Sequence, residues 1–369
     1  MSNLKISRSL SILCLFSLPL SAWANSGTPL MIGMAFHLAL GNLFLGFGEA
    51  FLLVKIYKTA WRKSIFTMIA ANYFSAWAGM LLLGWISSEL SNIIDIYNFR
   101  QYWLIMLIAA YLITIPLEYG FILLAMGCNP WKFLAALKAS WLIQSISYLV
   151  LIGWYMLFSE GALLWTVKPV APLELKTPPG IMVYYLGTAD KALYCWNSNT
   201  LKTEKIRQLD CRKTQRYLLA AIQSDSKPSA VDLVRFVFDE QDYNSGKYEM
   251  LIPAFSAVDK SNPLEKKNCS LSYGSDKAIS LGEAKLLPVE YTNCFYSNLG
   301  IVRQDKISGE NRHILKFEVP FIQWPIHNVI VLPGDKLLLQ LGEQICIFNP
   351  KTMEMALIAR GSGFVAVVE

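Results

Sequence analysis

The chain has 369 residues, of which 54% are hydrophobic and 16% charged, with a formal net charge of +6. So mild a balance excludes nucleic-acid binding, which takes a concentrated basic surface rather than a small scattered excess. The three histidines, His37, His313 and His327, lack metal-ligand spacing, and no phosphate loop, nucleophile elbow or dinucleotide fingerprint occurs. Neither a metal nor a cofactor is indicated, and catalysis is the weaker reading.

Residues 1–24 read as a secretory signal peptide. Lys5 and Arg8 precede the short apolar run Leu10 to Leu20, and Ala22-Trp23-Ala24 supplies a small-x-small cleavage pattern. An uncleaved anchor is the alternative. Cleavage there leaves the mature N-terminus outside the cytoplasm.

Residues 25–160 read as a four-helix transmembrane domain. The runs near Met31–Val54, Ile65–Ile86, Tyr102–Met126 and Phe133–Phe158 are each long enough to cross a hydrocarbon core, which takes roughly 20 apolar residues. They carry almost no polar face, whereas a soluble helix shows one. Trp85, Tyr102, Trp103, Trp131 and Trp154 sit near their ends, where amphipathic rings favour the interface. Lys55, Lys58, Arg62 and Lys63 make the first loop cytoplasmic; Glu89 and Asp95, against Arg100, turn the second outward. Four crossings place the C-terminus outside. The expectation is a multi-pass protein of a bacterial inner (plasma) membrane, in contact with the lipid bilayer, with a periplasmic C-terminal domain.

A shift of 69 residues carries Glu49 onto Glu118, Ala70 onto Ala139 and Gly84-Trp85 onto Gly153-Trp154. This suggests a tandem hairpin repeat in which both copies have the same orientation. Each helix carries one polar stripe. Asn42, Gly46 and Glu49 share a face of the first, and Asn72, Ser75 and Gly79 of the second. Tyr111, Thr114 and Glu118 share a face of the third, and Lys138 and Ser145 of the fourth. His37 also lies within the first span. Facing lipid would leave such groups unpaired, so the stripes are expected to meet inside the bundle. Glu118 and Lys138 stand at matching depths on antiparallel neighbours and are expected to form a buried pair. Glu49 has no lysine of its own, since Ile69 occupies the matching place. It must take Asn72, share Lys138 or hold a proton. The plainer reading is that these groups only glue the helices together.

Residues 161–180 contain Pro169, Pro172, Pro178 and Pro179 and read as a semi-rigid linker. Residues 181–369 read as one extracytoplasmic all-β domain. Strands are expected at Ile181–Tyr185, Leu193–Trp196, Val234–Phe238, Ile314–Val319, Val329–Leu332, Lys336–Leu341, Ile345–Phe348 and Phe364–Val368, with a helix over Lys213–Ile222. Two stretches rhyme at a separation of 152 residues between Asn197 and Asn349: Leu193-Tyr194-Cys195-Trp196-Asn197, then Thr200, and Ile345-Cys346-Ile347-Phe348-Asn349, then Thr352. Each resembles the inner hairpin of a β-propeller blade, and the resemblance implies a propeller-like domain, with a β-sandwich as the alternative. The whole chain resembles bacterial inner-membrane proteins.

Outside the cytoplasm disulfides are expected. Cys269–Cys294 is the first choice and Cys195–Cys211 the second, with Cys346 left over as a small hydrophobe. Together these features predict a membrane protein whose β domain binds another envelope protein or component, in sensing or assembly. The alternative is a small transporter or channel subunit that uses Glu49 and Glu118.

Overall fold

The computed structural model describes residues 29–368, apart from 91–92, 128–129, 189, 191, 210–216, 224–229, 239–245, 258–274, 282, 285–286, 295–299 and 323. The expected signal peptide, Cys211 and Cys269 therefore lie outside the described residues. The chain divides into two compact units, one reaching to Gly161 and taking in Glu318–Gln323, the other holding Ala162–Phe317 and Trp324 onward.

The first unit contains four helices long and apolar enough to cross a membrane: α1 (Leu30–Tyr57), α2 (Trp61–Leu90), α3 (Phe99–Met126) and α4 (Phe133–Phe158). In α1 the α-helix is interrupted by a π-helical turn over His37–Gly41. The Ala39 carbonyl within that turn accepts a hydrogen bond of 2.5 Å from the Tyr73 hydroxyl on α2. At the end of α1, Lys58 adopts a left-handed conformation and its amide closes on the Val54 carbonyl, which stops the helix before the short turn to α2. Gly127 does the same for α3.

The unit buries a set of polar side chains and turns large apolar ones outward. Asn42, Glu49, Asn72, Ser75, Glu118, Ser140, Gln144 and Ser147 are buried, while Phe66 is 77% exposed and Leu149 71%. Water would select the reverse arrangement. Gly46 explains how closely α1 and α2 approach, because a Cβ there would lie 2.7 Å from the Ile69 Cα.

The buried positions repeat. In α2 they are Ser64, Thr67, Met68, Ala71, Asn72 and Ser75; in α4 they are Ala136, Ala139, Ser140, Ile143, Gln144 and Ser147, each 72 residues further on. In α1, Gly46, Glu49 and Leu53 are matched by Ile115, Glu118 and Ile122 of α3 at 69 residues. The three-residue difference is the longer connection between α3 and α4. Gly84-Trp85 and Gly153-Trp154, expected to coincide at 69, are thus one helical turn out of phase with the burial pattern.

The second unit is an antiparallel all-β domain with two short parallel pairings. Its strands are β1 (Lys168–Pro169), β2 (Ile181–Gly187), β3 (Leu193–Asn197), β4 (Lys202–Arg207), β5 (Tyr217–Gln223), β6 (Ala230–Phe238), β7 (Gly246–Ala257), β8 (Ser275–Lys277), β9 (Ile279–Ser280), β10 (Val289–Cys294), β11 (Gly300–Asp305), β12 (Asn311–Leu315), β13 (Ile326–Leu332), β14 (Lys336–Leu341), β15 (Gln344–Asn349) and β16 (Glu354–Val368). A nine-stranded sheet runs β9-β13-β14-β15-β16-β2-β3-β4, with β1 alongside β16; the other two sheets are β12-β11-β10-β8 and β5-β6-β7. The large sheet is open, not closed into a barrel.

The strand β16 joins the rhyming segments. Its first half pairs with β15 and its second with β2, with a bulge near Gly363, whose φ is +62°. Consequently β14–β15–β16 and β16–β2–β3 lie side by side in one sheet, and no propeller closure is seen among the described residues. What the segments share is a turn. The Asn199 amide donates to Asn197 Oδ1 at 2.8 Å and the Lys351 amide to Asn349 Oδ1 at 3.1 Å, with left-handed residues following at Leu201 and Met353.

The central strand β2 is buried on both faces, which is why Ile181–Gly187 reads as a continuous apolar run rather than an alternation. Ile181, Val183 and Tyr185 pack with Trp196, Ile345 and Phe364, while Tyr184 and Leu186 pack with Cys195, Leu219 and Leu233.

Two expectations are corrected. The helix over Lys213–Ile222 is instead strand from Tyr217, because Leu219 belongs to that second core and the segment pairs along β6; tertiary burial overrides the local helical preference of Leu and Ala. Residues 165–180 are not a free stalk, since Val167 and Leu175 are buried and the Lys168 and Val170 amides donate to the Met353 and Met355 carbonyls. Cys195 packs in the second core, and its expected bridge to Cys211 falls outside the described residues. The expected Cys269–Cys294 bridge falls outside the described residues, and Cys346 is a buried thiol on β15.

Candidate functional site

Glu49 on α1 is 2% exposed and Glu118 on α3 is 1% exposed, and both point into the helical unit. Ser147 Oγ donates to Glu49 Oε1 at 2.5 Å and Asn72 Nδ2 donates to Glu49 Oε2. Ser75 Oγ donates to Glu118 Oε1 at 2.5 Å and Gln144 Nε2 donates to Glu118 Oε2. Each carboxyl group thus takes an amide from the second helix of its own hairpin and a hydroxyl from the second helix of the other. Asn72 and Gln144 stand 72 residues apart, as do Ser75 and Ser147. The two acids occupy equivalent, crosswise-tied environments.

Helix phase builds this. Asn72 and Ser75 are three residues apart on α2, as are Gln144 and Ser147 on α4, so each pair presents one face. Pro116 lies within α3 just ahead of Glu118, and the carbonyl of Ile115 accepts from Ser140 Oγ at 3.2 Å.

Lys138 is not part of the site. It lies exposed on α4, and at about 100° per residue it stands on the opposite side of the helix from the buried Ser140. The expected pair with Glu118 is therefore not formed; Ser75 and Gln144 hold that carboxyl group. Ser145, expected beside Lys138, is also outward and meets the Tyr111 hydroxyl at 2.9 Å.

The remaining expected residues line a cavity above the acids. His37 Nδ1 meets the Tyr155 hydroxyl at 2.6 Å, and the buried Asn42 stands five residues on, across the π-helical turn. A π-turn brings residues five apart nearly into line, where an α-helix would not. The cavity has a volume of about 510 Å³, with Asn72, Ser75, Glu118, Gln144 and Ser147 at its inner end and Trp103 and Ser159 near the helix termini. From Trp103 to Glu118 is roughly 22 Å of helix at 1.5 Å per residue. A second cavity of about 480 Å³ opens between α1 and α4; Phe44, Gly48, Glu49, Phe51 and Val150 line it, and it shares His37, Ser147 and Leu151 with the first. Among the described residues no lysine or arginine lines either cavity.

Sequence reasoning found Glu49, Asn72, Ser75 and Glu118 and missed Gln144 and Ser147. The spacing Ser140, Gln144, Ser147 was the available signal. Among the described residues no group of three metal-binding side chains occurs. Asp190 Oδ2 accepts from Lys205 Nζ at 2.9 Å and the Tyr194 hydroxyl at 2.8 Å. These bonds, led by Lys205, hold its carboxyl down at about 2. Burial and the bond to Asp335 push the Tyr291 phenol well above its usual range. No protein-family model and no curated protein matches the chain.

Proposed function

We propose that this is an integral membrane protein whose four-helix unit is a proton-handling transport unit, with Glu49 and Glu118 as a coupled acid pair. The membrane placement is supported by the apolar outer surface of the unit and by the basic first loop, Lys55, Lys58, Arg62 and Lys63. On this reading the loop lies in the cytoplasm and the β domain is extracytoplasmic. The helical unit is read as a tandem duplication of one hairpin, on the recurrence of its buried positions.

The observation that carries the reading is the crosswise hydrogen bonding of the two acids. Bundle glue needs no such matched pair. An uncompensated charge at this depth costs about 3 kcal/mol or more, and the groups bonded to both carboxyl groups are neutral amides and hydroxyls. Protonation of the carboxyl groups offsets that cost. Because α2 and α4 each serve both acids, movement of either helix exchanges donors at Glu49 and Glu118 together. This links proton position to helix position, which a coupled transporter requires. A β domain that engages an envelope partner fits beside this reading, but the internal site is the more specific feature.

The test is proton uptake by sealed vesicles holding the purified full chain, followed with an enclosed pH dye under an imposed potential. Uptake should fall at least about tenfold in the double variant Glu49→Gln, Glu118→Gln, the loss expected when an essential proton-transfer group is removed. Equal uptake by wild type and the double variant overturns the reading.

A further inference from the structure

Three buried polar atoms that lack a hydrogen-bond partner among the described residues line the cavity above the acids: Asn42 Nδ2, Trp103 Nε1 and Ser159 Oγ. Asn42 is 2% exposed. An amide N–H and an indole N–H are donors, so they call for acceptor oxygens on whatever occupies the cavity. An unpaired buried donor costs about 1–3 kcal/mol, which makes such donors around one cavity a specific demand. The occupant is not an anion, because Glu118 and, among the described residues, no lysine or arginine face it.

The crevice between α1 and α4 has a different character. Phe44, Phe51 and Val150 line it, and Gly48 leaves it open, since a Cβ there would meet nothing within 4 Å. The two spaces share His37, Ser147 and Leu151 as a common wall, and the π-helical turn begins at His37. Interrupted helices of this kind cluster at functional sites and are places where a helix rearranges. One space offers donors and the other an apolar slot that opens towards the surroundings of the bundle. Each is of the size that holds a small molecule.

We infer that the helical unit admits a neutral single-chain lipid from the side, its oxygen-bearing head in the donor-lined cavity and its hydrocarbon tail in the α1–α4 crevice. This rests on the membrane placement proposed above, and it names the substrate class of that unit. His37, Ser147 and Leu151 are the wall that the head must pass. The tail stays in contact with the bilayer throughout, so only the small polar head is desolvated.

The probe is a monoacylglycerol with a photoactivatable diazirine at the end of its chain, compared with the free fatty acid of the same chain on the full-length protein in bilayers. Peptide mapping should show the monoacylglycerol enriched about fivefold over the fatty acid at Phe44, Phe51 and Val150, the preference expected from one or two hydrogen bonds to the head. At the outward Phe66 and Leu149 the two probes should label alike. Asn42→Leu should remove the preference, and Gly48→Trp should abolish crevice labelling while leaving Phe66 and Leu149 labelled. Equal labelling of the crevice by both probes in the wild type, a comparison that needs no variant, overturns the inference, as would follow if water alone filled the cavity. Crevice labelling undiminished in folded Gly48→Trp also overturns it. Absence of label from Phe66 and Leu149 as well overturns the membrane placement, and this inference with it.

Discussion

Glu118 shows what residue-level reading captures and what it misses. Its depth in α3 matches that of Lys138 in α4, and depth alone suggests an ion pair. Azimuth decides otherwise: Lys138 stands on the outward stripe, and Gln144 and Ser75 take the carboxyl oxygens. Lys138→Met should therefore change the melting stability in detergent by no more than about 0.5 kcal/mol, the range of ordinary exposed substitutions. Gln144→Leu should cost about 1–3 kcal/mol, because it strips a buried carboxyl oxygen of its donor. A ranking in which Lys138→Met is the worse of the two would restore the ion pair. In the β domain, Asp190 gives a pH test. Its carboxyl is held at about 2 when folded, led by the bond from Lys205, against about 3.9 in an unfolded chain. A depressed value stabilises above the unfolded one, and that contribution is lost as pH falls from about 4 through about 2. Resonance titration of the Asp190 carboxyl should show the low midpoint, and Lys205→Ala should move it up towards the ordinary value.

At the scale of elements, the four helices were legible because hydrocarbon-length apolar runs have few other uses; the expected Phe133–Phe158 and the observed α4 coincide. The partners of the acids were less legible. Gln144 and Ser147 carry no charge to attract attention, and the 69-residue shift read from Glu49 and Glu118 holds only as far as the α3–α4 connection. Beyond it the buried positions recur at 72. The β segments divided along similar lines. Lys336–Leu341 was readable from its own composition, whereas Tyr217–Gln223 became strand only through its partner β6. Packing also separates two glycines that look alike in sequence. Gly46→Leu should disrupt the α1–α2 contact, since its Cβ would meet the Ile69 backbone; a loss of about 1–3 kcal/mol is expected for overpacking. Gly48→Ala, whose Cβ meets nothing within 4 Å, should leave the melting temperature nearly unchanged. Equal effects of the two would mean that the α1–α2 approach has been misplaced.

For the whole molecule, composition and loop charge give the order of parts, an apolar bundle followed by a β domain, but not what the bundle does. That depends on which side chains two similar hairpins turn towards one another, a property of tertiary phase that no single segment displays. The central claim is that Glu49 and Glu118 form an acid pair that holds an exchangeable proton inside the bundle. Infrared difference spectra of the full chain in bilayers, taken between alkaline and acid buffer, address it most directly. The account predicts a buried carboxylic-acid carbonyl band in the wild type, weakened in Glu49→Gln and in Glu118→Gln and absent from the double variant. A wild-type spectrum indistinguishable from that of the double variant would contradict it.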